Sequence, residues 1–196
     1  MKPEEINSLL PENLGLQNVA GLSSQSGPDE DFVAVQEMLE KQSYDEIVRE
    51  SLANHVKLLA EEIRAKYGSS FDYDALLKLL DDNKNVRYLV SISFDSSRVQ
   101  PGFFGIIESK SSAQDESDEY AKGSDEGYQI ILHELFKNKP EQIVPLVLYY
   151  IPVVNYGELA VYQESEIFGS NVLGMTQDDY YQLICDLTDS VWGVPE

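Results

Sequence analysis

Leu146–Tyr162, LVLYYIPVVNYGELAVY, is the most apolar stretch of this chain, with Asn155-Tyr156-Gly157 as a polar interruption inside it. A segment of this kind has to be buried, and the rest of the fold has to be arranged to bury it. Pro145 discourages helix just ahead of it, so Leu146–Val154 reads as a strand, and its two apolar faces mark a strand covered on both sides. Asn155-Tyr156-Gly157 has the form of a three-residue hairpin loop with Gly157 in the left-handed position. Leu159–Gln163 then returns as a further strand. The segment is expected to be the central β-hairpin of the domain.

Ahead of it the spacing changes more than once. Residues 1–27 hold Pro3, Pro11, Gly15, Gly21, Gly27 and a Ser-rich patch, and read as a flexible N-terminal segment. A short helix is expected over 29–40 from Phe32, Val35, Met38 and Leu39. A second should start at Ser43, which forms a capping box with Glu46, and carry the stripe Val48, Leu52, Val56, Leu59 and Ile63 as far as Gly68. A third opens at Asp72, with Phe71 and Leu76 placed as a hydrophobic staple, and runs through Leu80.

The period then becomes two. Tyr88, Val90, Ile92 and Phe94 alternate with Arg87, Leu89, Ser91 and Ser93, the pattern of a half-buried strand. Phe103–Glu108 is expected to pair with it as an antiparallel neighbour. Ser109–Gly127 is rich in acids and serines and reads as a mobile loop. Tyr128, Ile131, Leu132, Leu135 and Phe136 fit one helical face, leaving Gln129 outside. A final helix is capped by Thr176, with Tyr180, Ile184, Leu187 and Val191 as its buried stripe.

These elements give an α+β fold: an antiparallel or mixed sheet of about four strands in ββ-α-ββ order, N-terminal helices and a C-terminal covering helix. Residues 28–196 are read as a single domain. Fourteen basic residues against thirty-five acidic ones leave a formal charge of −21 in 196 residues. Such a surface repels phosphate backbones and anionic lipid, so nucleic-acid and membrane binding are disfavoured, and a basic partner is favoured. Cys185 is alone, which excludes an intramolecular disulfide and any multi-cysteine metal site. With no signal-like N-terminus and no apolar run long enough to span a bilayer, the chain is expected to be soluble and cytoplasmic.

Catalytic motifs are scarce. His133-Glu134 lacks the second histidine of a zincin helix, and neither G-x-S-x-G nor a phosphate-binding glycine loop occurs. His55 and Cys185 sit beside apolar stripes and read as core residues. Glu108-Ser109-Lys110, an E-x-K directly after the apolar FFGII, resembles the PD-(D/E)xK metal-dependent nucleases over three residues and an element order. That resemblance implies a Mg²⁺ site in which Asp82, at the correct end of the strands, joins Glu108 as a ligand while Lys110 helps activate water. Asp95 lies at the wrong end of the strand pair for this role.

The twelve tyrosines point elsewhere. Tyr149, Tyr156 and Tyr162, with Asn155 at the presumed loop, lie on or near the apolar segment, and a tyrosine ring with a wet hydroxyl suits a protein interface. The element order is also similar to that of the small acidic type III secretion chaperones. The chain is therefore read as a non-enzymatic acidic interaction domain, chaperone-like or an adaptor, without a cofactor. Its expected partner is another protein of basic character, with a homodimer as the other arrangement. The PD-(D/E)xK hydrolase is the alternative reading.

Overall fold

The structure, a computed structural model, describes residues 28–110 and 127–192. The chain divides into two compact units, Met1–Asp45 and Glu46–Glu196. The described part of the first unit is entirely helical. The second holds the sheet, the remaining helices and the hydrophobic core.

Helix α1 spans Pro28–Tyr67 without a break, so the two helices expected over 29–40 and from Ser43 are one, and Ser43 does not begin a helix. No proline or glycine lies between Glu40 and Ser43 to stop it. From this helix Val56 and Ile63 of the expected stripe are fully buried in the core, with Ala60 beside them, while Val48, Leu52 and Leu59 are half-buried. Helix α2, Tyr73–Leu80, is capped as expected: the Asp72 carboxylate accepts a hydrogen bond of 2.9 Å from the Ala75 amide. Phe71 and Leu76, the two members of the staple, are both buried.

The sheet has three strands, β1 (Leu89–Phe94), β2 (Gly105–Lys110) and β3 (Gly127–Leu132), in the order β1-β3-β2. The architecture is α+β with a mixed sheet, but it has three strands rather than four, and β1 and β2 do not pair with each other. β3 lies between them, parallel to β1 (Ile92 beside Ile130) and antiparallel to β2 (Glu108 beside Gln129). The connection from β1 to β2 is not a tight hairpin. It makes a 3-10 turn over Ser96–Arg98, with Asp95 as its cap, and so leaves room for a strand. Asp95 N donates to Leu132 O and His133 N to Phe104 O, extending both ladders past β3.

Gly127–Leu132 is thus strand where helix is expected. Tyr128, Ile130 and Leu132 share a face at period two, and this six-residue run fits either period when read alone. Ser109, Lys110 and Gly127 belong to strands, not to a loop; residues 111–126 lie outside the described residues, as do residues 1–27.

The larger correction concerns the apolar segment. Pro140–Tyr156 is helix α3, not a strand, and no hairpin follows it. Pro140 occupies the first turn, where the missing N–H costs nothing. Pro145 removes one bond, to the carbonyl of Glu141, a residue exposed to water. A helix apolar all round belongs in the interior, and Leu146, Val147, Leu148 and Ile151 are fully buried. Gly157 ends α3 at φ +59°, a backbone shape that favours glycine, and donates its N–H to Val153 O. The expected fourth strand, Leu159–Gln163, is a 3-10 turn over Gly157–Leu159 followed by the start of helix α4, Tyr162–Leu173.

Helix α5, Gln177–Trp192, follows as expected. Thr176 Oγ1 accepts from the Asp179 amide at 3.1 Å, and Tyr180, Ile184, Leu187 and Val191 are buried. Among the described residues the order is two helices, three strands and three helices. The likeness to type III secretion chaperones rests on a different order and loses its ground. Among the described residues, no helix is long and apolar enough to cross a membrane.

Candidate functional site

The starts of α2 and α3, the end of α4 and the middle of α5 border an apolar groove of about 560 Å³. Its floor is Val144 and Pro145 of α3; Phe71 and Tyr73 at the start of α2 form one wall, and Leu173 of α4 and Leu183 of α5 another. Tyr73, Leu173 and Leu183 are only half-buried. The polar lining is acidic: Asp72 and Asp74 from the start of α2, and Glu141 from the first turn of α3. Among the described residues, no lysine, arginine, histidine, serine or cysteine lines it. Carboxylates in a first turn are stabilised by the partial positive charge there, so the rim needs no cation to hold it.

The structure does not gather the residues singled out from the sequence into one site. Tyr149 packs edge-on to Phe104 and Tyr150, with ring centroids 5.7 and 6.1 Å away, and burial pushes its hydroxyl pKa up. It is an inner-layer ring. Asn155 is 7 % exposed instead of standing at a loop tip. Its side chain is spent on backbone: Oδ1 accepts from Arg87 N at 2.8 Å and Nδ2 donates to Asn85 O at 2.9 Å. Tyr156 is half-buried, its ring 5.7 Å from that of His55 in an edge-on arrangement. Tyr162 is 68 % exposed at the start of α4. His55 is exposed rather than packed in the core, and Cys185 is half-buried.

Asp82, Glu108 and Lys110 are likewise occupied separately. Asp82 ends the α2 turn, where its Oδ2 accepts from Lys66 at 2.6 Å, Tyr67 at 3.1 Å and the side-chain Nδ2 of Asn85 at 2.5 Å. Lys66, more than any other neighbour, holds its pKa down at about 2. Glu108 lies on β2 and forms an ion pair with Arg98 of the β1–β2 connection. Lys110 follows on the same sheet face, beside Gly127. Gln129, expected on an outer helical face from the spacing of Tyr128–Phe136, is on β3 opposite Glu108 and donates to Ser93 Oγ at 2.9 Å. Among the described residues, no three His, Cys, Asp or Glu side chains converge as metal ligands.

The groove was missed because its walls come from residues 71–74, 140–145, 173 and 183, which only the helical packing brings together. The one local signal was the Asp72 cap with its staple, which positions Phe71 and Tyr73. No protein-family model, curated protein or solved structure matches the chain.

Proposed function

We propose that this chain is a non-enzymatic, acidic, cytoplasmic protein-interaction domain, and that it binds a basic amphipathic segment of another protein in the groove between α2, α3, α4 and α5. The observation that carries this reading is the groove itself: an apolar trough rimmed by Asp72, Asp74 and Glu141 without any cation. An apolar helix face with lysines or arginines along its edges fits both the trough and the rim. A second copy of the chain fits poorly, because each copy carries a charge of −21.

The Mg²⁺-dependent hydrolase is less well supported, since Lys66 holds Asp82 and Arg98 holds Glu108. The test is fluorescence anisotropy with two labelled amphipathic peptides that share one apolar face, one with lysines and one with glutamates on the polar face. Saturable binding of the basic peptide alone, weakened at least tenfold by Leu183→Asp, supports the proposal. Equal binding of both peptides, or no effect of Leu183→Asp, would overturn it.

A further inference from the structure

We propose that a second hollow, bounded by α1, the Lys84–Arg87 loop and the end of α3, binds a compact phosphoryl group, free or as the head of a small phosphomonoester. The hollow measures about 180 Å³, which suits a small group and not a folded segment. Its lining side chains are basic where the chain as a whole is acidic, with the Glu62 and Asp82 carboxylates bonded to Lys84 and Asn85 at its edge. His55, Lys84 and Arg87 all line it, with Asn85, Asn155, Tyr156 and Leu59, and no carboxylate is among its lining residues. The chain as a whole carries 14 lysines and arginines against 35 acids. The overall negative field does not forbid an anion there, because salt screens exposed charges beyond about 8 Å at physiological ionic strength.

The loop is held in place before any ligand arrives. Asn155 grips it through Arg87 N and Asn85 O, and the Asp82 carbonyl accepts from the Asn85 and Val86 amides, each at 2.9 Å. Lys84 and Arg87 are therefore presented from a fixed backbone. Among the described residues Arg87 has no ion-pair partner, and a guanidinium offers the planar double donor that matches phosphate oxygens. Lys84 pairs with Glu62 at the surface, with side chains 71 % and 50 % exposed, and an ion pair that open to water is readily exchanged. On the other wall the edge-on rings of His55 and Tyr156, with Leu59, add an imidazole donor and an apolar surface for the organic part of an ester. None of these residues lines the helix groove.

The experiment is an NMR titration of the ¹⁵N-labelled full chain with inorganic phosphate, with glycerol phosphate, and with sodium chloride at matched ionic strength. The proposal expects saturable shifts at the Arg87 side-chain Nε–H and the 84–87 amides with the phosphates but not with chloride. Arg87→Gln should weaken binding at least tenfold, Arg87→Lys less, and Arg98→Gln not at all. Tighter binding of glycerol phosphate assigns the site to an ester head, and equal binding assigns it to the phosphoryl group alone. Shifts that stay linear and match chloride, or an Arg87→Gln variant that binds as the parent does, would overturn the proposal. The Arg87 side chain is exposed and its backbone bond to Asn155 is kept in both variants, so loss of the fold does not confuse the result.

Discussion

The Tyr180 hydroxyl donates a 2.7 Å hydrogen bond to the carbonyl of Pro145, tying α5 to α3 inside the core. The hydroxyl end of the same ring lies against Gly169 of α4, where an added Cβ would come within 2.0 Å of the ring carbon Cζ. Tyr180 is fully buried, so three helices meet on one side chain. Tyr180→Phe should cost about 1 kcal/mol, the net worth of one such bond. Gly169→Ala should cost about 2–3 kcal/mol or more, because neither the ring nor the α4 backbone has room to yield. Urea denaturation of the two variants measures both values.

Among the described residues, the Asn155 side chain bonds backbone on both sides of Val86. Asn155→Ala should therefore cost about 2 kcal/mol or more, since Arg87 N and Asn85 O each lose a partner near the core. A denaturation midpoint within error of the parent would show that these bonds contribute nothing. The same variant should bind the basic peptide unchanged, because Asn155 does not line the groove.

The pKa of Asp82 lies at about 2, below the ordinary 3.8, chiefly because Lys66 donates to the ionised carboxylate. A lowered folded pKa stabilises the fold above the unfolded value and is lost as pH falls toward the folded value. The contribution should therefore be complete at neutral pH and fade between pH 3.8 and about 2. Asp82→Asn should be less stable than the parent at pH 7, with the difference closing near pH 2. The gap should be modest, since the Lys66 end of the pair is half-exposed. Denaturation midpoints of both proteins across this range check the sign.

Mg²⁺ or Mn²⁺ should leave the melting temperature unchanged, because Asp82 and Glu108 are neutralised by different cations. A rise with Mg²⁺ or Mn²⁺ that Glu108→Ala abolishes would restore the hydrolase reading.

Two helices were legible in the sequence because their ends are written locally. Asp72 and Thr176 each cap the next turn, and the stripe from Tyr180 to Val191 admits one period only. β1 was legible for the same reason, since Tyr88, Val90, Ile92 and Phe94 fit no helical face. The failures fall where local preference and tertiary context diverge. Leu146–Val154 is apolar on every side, a pattern that a doubly covered strand and a central helix share, and Pro145 tipped the choice wrongly. Length was the better guide, because the run from Pro140 to Tyr156 is 17 residues, long for a strand of about five or six. The groove rests on that helix, since its floor is built on α3 and one wall on α4 and α5, and the start of α4 reads as a strand in the sequence.

The central claim is that the groove between the helices is the binding surface. Backbone amide shifts on adding the basic amphipathic peptide to the ¹⁵N-labelled full chain test it most directly. The account predicts that the shifts concentrate at residues 71–74, 140–145, 173 and 183 and disappear in Leu183→Asp. Shifts centred on Tyr156 and Tyr162, or spread evenly over the acidic surface, would contradict it.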